Sequence, residues 1–200
     1  ATVLIDYLLS EAELNNWQII IADADKNQVL TKTNNSPLAQ AVQIDITKDE
    51  QRVELIQKAD IVISMMPPAL HFLVAKDCVA FSKNLLTASY VDEQIRNLQS
   101  EIYNKGILFL CEMGLDPGID HMSAMKMINE IKAGGGKITS FKSHCGGLIA
   151  PESDNNPWHY KISWNPKNII LAGSAGAVYK ENYEIIEEEY QIVFENCEVI

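Results

Sequence analysis

The residues best placed to do chemistry in this sequence are acids standing where apolar runs end. Asp116 precedes Pro117-Gly118, so a tight turn can project its carboxylate from a strand end. A carboxylate partly shielded from water has a raised pKa and exchanges protons near neutrality. The same residue equally well closes an Asx-turn before a helix beginning at Asp120. Asp120 reads as the N-cap or dipole partner of that helix, and His121 as a weaker contact for a substrate. Asp23 ends the apolar run Trp17–Ala22. At the end of a second strand an acid can bind the hydroxyls of an adenosine ribose, or it can simply end the strand. As an anion it would repel a 2′-phosphate and so slightly favour NAD over NADP; nearby Lys26 weakens that preference. Asp45 stands either beside an adenine or as a cap of the next helix. The backbone N–H groups of Gly146-Gly147 can hold a carboxylate. Lys161, in Tyr160-Lys161-Ile162-Ser163-Trp164, is the cation of its region or an ordinary surface lysine.

These groups need elements to position them, and the spacing of apolar residues supplies a list. Helices are expected over Ala1–Leu9, Lys48–Lys58, Ala69–Phe81, Val91–Lys105 and Asp120–Lys132. Strands are expected over Trp17–Ala22, Ala41–Ile46, Asp60–Ser64, Asn84–Ala88 and Gly106–Cys111. Pro37–Gln40 carries too little pattern to assign. Strands that are apolar throughout and separated by helices imply a parallel sheet covered on both faces, a doubly wound α/β fold. The rhythm changes after Gly114. A Met-rich helix closed by Gly134-Gly135-Gly136 is followed by a strand at Ile138–Ser143 and a polar loop, Gly146–Pro157. Strand-like pieces follow at Tyr160–Trp164, Ala177–Lys180, Tyr183–Ile186 and Tyr190–Phe194. The division expected is a first domain over 1–114 and the start of an α+β domain over 115–200.

The carboxyl edge of a doubly wound sheet is where a dinucleotide lies. The loop Ser64-Met65-Met66-Pro67 follows a central strand and offers that edge a rigid backbone with apolar side chains. His71, at the next helix start, reads as a structural histidine ahead of a functional one. A dinucleotide domain normally opens on a strand and a Gly-rich turn, because glycine lets the backbone approach the pyrophosphate. No G-x-G-x-x-G occurs in this sequence. The order helix, strand, acid is the one that follows such a turn, so the first strand and glycine loop are expected upstream of Ala1.

Composition narrows the partners. With 200 residues, 47% of them hydrophobic, and a net charge of −11, the chain has globular composition and repels nucleic acid and anionic membrane surfaces. No run of about 18 apolar residues marks a membrane span, and no basic leader marks a signal peptide. The four cysteines form no C-x-x-C pair and fit no zinc spacing, so no metal is expected and a reducing cytoplasm is the simplest compartment.

Three blocks together carry a family resemblance. They are Leu86-Thr87-Ala88-Ser89-Tyr90-Val91, Glu112-Met113-Gly114-Leu115-Asp116-Pro117-Gly118-Ile119-Asp120-His121-Met122, and His144-Cys145-Gly146-Gly147-Leu148-Ile149-Ala150-Pro151-Glu152-Ser153, the last running on to Tyr160–Trp164. The sequence resembles the glutamate-forming saccharopine dehydrogenases, over essentially its whole length. The resemblance implies a Rossmann-like NAD- or NADP-binding domain, a homodimer, and a place in lysine metabolism. It implies interconversion of saccharopine with glutamate and 2-aminoadipate 6-semialdehyde by hydride transfer. Such chemistry needs a proton acceptor for the amine, a proton carrier for water addition, and groups to hold three carboxylates. Asp116, Tyr90 and Cys145 are the catalytic candidates it implies. Ser89, Tyr90, Asp116, Cys145, Gly146, Gly147 and Lys161 are the substrate contacts. Asp23, Asp45, Ser64, Met65, Met66 and Pro67 are the cofactor contacts. Cys145 is expected as a lining residue, since imine formation by hydride transfer needs no thiolate nucleophile. Arg52 and Arg96 fall on expected outer helices, so a bidentate carboxylate clamp would come from beyond residue 200 or from a partner subunit. Two other readings stand beside this one. A related polyamine-forming dehydrogenase would show an acidic lining in place of Lys161 and the glycine pair. A non-catalytic dinucleotide-binding module is the third.

Overall fold

In the computed structural model, residues 1–145, 149–161, 174–193 and 195 are described. They belong to two compact units, Ala1–Phe141 and Lys142–Ile200.

The first unit alternates helix and strand. It runs α1 (Thr2–Asn15), β1 (Ile19–Asp23), α2 (Lys26–Lys32), β2 (Ala39–Gln43), α3 (Asp49–Lys58), β3 (Ile61–Ser64), α4 (Pro68–Ala80), β4 (Asn84–Thr87), α5 (Glu93–Asn97), α6 (Gln99–Asn104), β5 (Phe109–Leu110) and α7 (Ile119–Ala133). Helix α2 has no forerunner in the periodicity, because Val29 is its one buried residue. Its start is legible after the fact: the Asp25 side chain accepts hydrogen bonds from the N–H groups of Asn27 and Gln28. The expected helix Val91–Lys105 is broken at Leu98, whose N–H bonds the carbonyl of Ile95, three residues back. Helix α4 opens on Pro68, where the missing N–H costs nothing.

The strands pair in parallel, as continuous apolar runs between helices require. They form two sheets among the described residues, β1-β2 and β3-β4-β5. Burial is less complete than the apolar runs suggest. Alternate residues Ile61 and Ile63 of β3 are 58% and 38% exposed, so one face of that strand is open among the described residues. The core lies on the other side. Leu85 of β4 packs with Ile56 of α3, with Val74, Ala75 and Cys78 of α4, and with Ile95 of α5.

Arg52 corrects the expectation of an outer-helix arginine. Its side chain is 1% exposed and joins α3 to α4 through Nε to Asp77 Oδ2 at 2.6 Å. The other guanidinium nitrogens donate to the Ile46 carbonyl and to Asp49 Oδ1, each at 2.7 Å. Arg96 is exposed on α5.

In the second unit, β6 (Ala177–Glu181) and β7 (Glu184–Glu188) form an antiparallel hairpin. Asn182 and Tyr183 make its two-residue loop, with φ of 49° and 71°. Two left-handed residues are what a tight hairpin with right-twisted strands demands. Pro151–Ser153 is a single 3-10 turn. Tyr190–Val193, expected within a strand, is a helical turn, α8. Ile138–Ser143 joins no ladder among the described residues. Ile162–Trp164 and Phe194 lie outside them. No described helix is long and apolar enough to cross a membrane.

Candidate functional site

Parallel pairing puts all strand ends of one sense on one edge, and loops leave from it together. Ser64, the last residue of β3, lies opposite Thr87, the last residue of β4. Met65, Met66 and Pro67 follow the first; Ala88, Ser89 and Tyr90 follow the second. Ser64 is buried, Met65 is 53% exposed, and Met66 packs on the core. Tyr90 is 66% exposed.

Between the two strand ends sits the His71 ring, 5% exposed. Its Nδ1 is 2.8 Å from Ser64 Oγ and 3.4 Å from Thr87 Oγ1, and its Nε2 is 2.6 Å from Ser89 Oγ. Burial pulls the imidazole pKa below its ordinary value, against the opposing effects of a Met66 backbone hydrogen bond and the Asp92 carboxylate. The Ser89 N–H donates to Thr87 Oγ1 at 3.2 Å. Ser64 and Ser89 were candidates in the sequence; their connection through His71 was not visible there. Only the register of β3 against β4 brings the three together.

The segment after β5 folds back on the same edge. The Glu112 N–H bonds the Ser89 carbonyl at 3.0 Å, and the Met113 N–H bonds the Thr87 carbonyl at 3.1 Å. The Glu112 side chain accepts from the Val91 N–H at 3.1 Å, from a backbone with φ of 62°. The turn Gly114–Gly118 then closes on itself: Gly114 N–H to the Pro117 carbonyl, and Ile119 N–H to the Gly114 carbonyl, each at 2.9 Å. Asp116-Pro117 is a cis peptide bond. Gly118, at φ of 147°, leaves no room for a side chain, because a Cβ there would overlap the Gly114 backbone. Gly114 packs against Ala88, where an added Cβ would stand 3.4 Å from the alanine methyl. The turn bearing Asp116 is thereby seated on the strand end that carries Ser89 and Tyr90.

Asp116 itself is exposed, not shielded as the sequence suggested, because the turn projects it away from the core. Its neighbours are polar. Asp120 Oδ1 accepts from the Gly118 N–H at 3.0 Å and lies 2.7 Å from His121 Nδ1. Asp120 is held below the ordinary carboxylate range; desolvation works against this and is outweighed by the bonds from His121 and Gly118. His121 is raised above its ordinary value, first by the hydrogen bond to Asp120, then by the charges of Asp120, Asp116 and Glu112. One ligand atom from each of Asp116, Asp120 and His121 falls within 4.8 Å of the others.

Asp23 and Asp45 flank the carboxyl end of the other sheet. Asp23 lies opposite Gln43, and its carbonyl accepts the Ile44 N–H at 3.0 Å. Both carboxylates are engaged in local turns. Asp23 Oδ1 accepts from the Asp25 N–H at 3.0 Å. Asp45 Oδ1 accepts from the Thr47 N–H at 3.0 Å and from its hydroxyl at 2.6 Å, which lowers the Asp45 pKa. Asp45 is not a helix cap, since Lys48 holds the N-cap position of α3. Lys26, the first residue of α2, is exposed.

In the second unit Cys145 and Lys161 are exposed, while Gly146 and Gly147 lie outside the described residues. A surface hollow of about 540 Å³ beside α6, lined by Gln99, Tyr103 and Ile107 among others, contains none of the candidate residues.

Residues 1–110 match the family model of the saccharopine dehydrogenase NADP binding domain, and residues 114–200 that of the saccharopine dehydrogenase C-terminal domain. An alpha-aminoadipic semialdehyde synthase of Arabidopsis thaliana is 45% identical over 79% of this chain and 15% of its own length. A saccharopine dehydrogenase [NADP(+), L-glutamate-forming] of Saccharomyces cerevisiae is 39% identical over 79% of this chain and 35% of its own length. The solved apo structure of saccharopine dehydrogenase (L-Glu forming) from Saccharomyces cerevisiae superimposes with a TM-score of 0.80 at 34% identity, covering 95% of this chain and 42% of that one. The chain thus spans less than half the length of these relatives. The matched domain is described by NADP, which gives no support to the NAD preference read from Asp23.

Proposed function

The chain belongs to the saccharopine dehydrogenase family, and from that premise we propose that it is the nucleotide-binding and proton-handling part of an NADP-dependent oxidoreductase acting on saccharopine. The observation that carries this reading is the turn Gly114–Gly118 seated on Ala88, which brings the Asp116 turn to the strand end bearing Ser89 and Tyr90.

The residues fit a dinucleotide in kind. Two parallel strand ends offer Asp23 and Asp45; two more offer the loop Ser64-Met65-Met66-Pro67 and the pair Ser89-Tyr90. Engagement of the Asp23 carboxylate by the Asp25 N–H makes it a turn-former first and weakens it as a ribose ligand. Lys26, three residues on, supplies positive charge for a 2′-phosphate. NADP is therefore the nucleotide proposed. When bound, the nicotinamide supplies a hydride acceptor or donor.

The chain's own groups handle the protons. In the oxidative direction the substrate carbon loses a hydride and the adjoining nitrogen loses a proton, giving an imine. Water then adds to the imine carbon, and the C–N bond breaks to release glutamate and 2-aminoadipate 6-semialdehyde. Asp116 takes the nitrogen proton and returns one when the C–N bond breaks. Tyr90, on the loop that follows β4, donates a hydroxyl hydrogen bond to the substrate. His121, its pKa raised by the Asp120 hydrogen bond, stands within 4.8 Å of the Asp116 carboxylate. We assign Cys145, Gly146, Gly147 and Lys161 to the substrate side on the strength of their sequence block, with the boundary between the nucleotide and substrate parts at Gly114/Leu115. Arg52 is committed to Asp77 and Asp49, so a carboxylate clamp falls to other groups, including those of a second subunit in a homodimer. Buried Cys78 and the absence of a cysteine pairing pattern fit a reducing compartment.

The test is spectrophotometric. The full-length protein is given saccharopine with NAD and NADP separately. Reduction of NADP, and of NAD more weakly, is expected. Failure to reduce either nucleotide removes the function proposed.

A further inference from the structure

We propose that His71 is a positioning residue that ties the loop entering the nucleotide site to the strand end carrying Tyr90; this rests on the oxidoreductase reading above. The ring is buried on the first turn of α4, where an aliphatic side chain would pack without the cost of desolvating two ring nitrogens. Both nitrogens instead meet hydroxyls: Ser64 Oγ at 2.8 Å from Nδ1 and Ser89 Oγ at 2.6 Å from Nε2. Those nitrogens flank Cε1 in a rigid ring and point away from each other, so imidazole fixes the separation of the two strand ends. A hydroxyl both donates and accepts, so either neutral tautomer satisfies both contacts.

Each end leads to a group placed in the proposed site. Ser64 is followed directly by Met65, Met66 and Pro67. Ser89 is followed directly by Tyr90, and its own backbone is fixed by N–H to Thr87 Oγ1 and by its carbonyl accepting from Glu112. His71 touches neither nucleotide nor substrate in this arrangement. It acts on the nucleotide loop through Ser64 and the Met66 backbone, and on the tyrosine through Ser89.

The two contacts are separable by amide substitution. Asparagine places its amide near the position of Nδ1 and keeps a partner for Ser64. Glutamine reaches the position of Nε2 and keeps a partner for Ser89. In the full-length protein, His71→Asn is expected to lower kcat about tenfold while leaving the NADPH dissociation constant within about twofold. His71→Gln is expected to weaken NADPH binding about five- to tenfold and to leave kcat within about threefold. NADPH binding is read by fluorescence titration, which needs no turnover. If saccharopine proves not to be oxidised by the parent protein, the function above falls, and the titrations still decide the role of His71. Should one His71 variant fail to fold, the other decides alone, a change confined to its own quantity supporting the proposal; failure of both to fold marks a merely structural histidine and overturns it. Equal changes in both quantities for the paired variants, as a merely structural histidine would give, overturn the proposal. So does the absence of any change.

Discussion

Replacing Arg52 by methionine is expected to cost a large part of the stability of the first unit. Methionine retains the unbranched apolar stem and removes the guanidinium. Three partners are then abandoned: Asp77 Oδ2 at 2.6 Å, the Ile46 carbonyl at 2.7 Å and Asp49 Oδ1 at 2.7 Å. They are not equivalent. The Asp77 side chain is 8% exposed and the Asp49 side chain 75%. An uncompensated buried carboxylate costs roughly 3–5 kcal/mol, and the orphaned, part-buried Ile46 carbonyl adds at most roughly 1 kcal/mol. Asp49 returns to water and contributes little. The expected loss is about 4–6 kcal/mol, against a total of about 5–15 kcal/mol for a typical domain. Urea unfolding followed by circular dichroism measures it. The double variant Arg52→Met, Asp77→Leu removes the stranded charge, and it should recover at least about half of the loss. A single variant within about 1 kcal/mol of the parent, or a double variant no better than the single, refutes the reasoning. The ion pair also joins α3 to the helix that carries His71, so an unstable Arg52 variant should bind NADPH weakly even below its unfolding midpoint.

Asp116→Asn is expected to lower turnover about 10²- to 10⁴-fold while leaving the urea midpoint nearly unchanged, because the side chain is exposed and its proton transfer is lost; turnover at the parent level would remove Asp116 from the chemistry. His121 should titrate above the ordinary histidine value by NMR, and Asp120→Asn should bring it down. The sign is that of a raised pKa: the charged His121–Asp120 bond is complete below the unfolded-state pKa and is lost as pH rises through the folded one. An unaltered His121 titration in Asp120→Asn contradicts the assignment.

Several of these features are legible in the chain alone because their causes are local. Gly118 is required by a turn five residues long, and the apolar runs of β1, β3 and β4 need only their own composition to read as strands. The block from Glu112 to Met122 marks a tight turn at Pro117-Gly118 without reference to anything distant. Local signals also mislead where a partner decides the outcome. Tyr190–Val193 has strand-like composition and forms a helical turn, and Ile138–Ser143 pairs with nothing among the described residues. Strand propensity expresses a fit to neighbours that the segment itself does not contain.

What the sequence alone determined, then, is the alternation of elements, the parallel α/β class, and the turn that carries Asp116. Tertiary structure alone decided that Arg52 is buried against Asp77, 25 residues away, and that His71 meets Ser89, 18 residues away. The first kind of fact depends on interactions within a few residues, where spacing is geometry. The second depends on the register of β3 on β4 and the seating of α3 on α4, which bring distant positions together with no trace in the order of the residues.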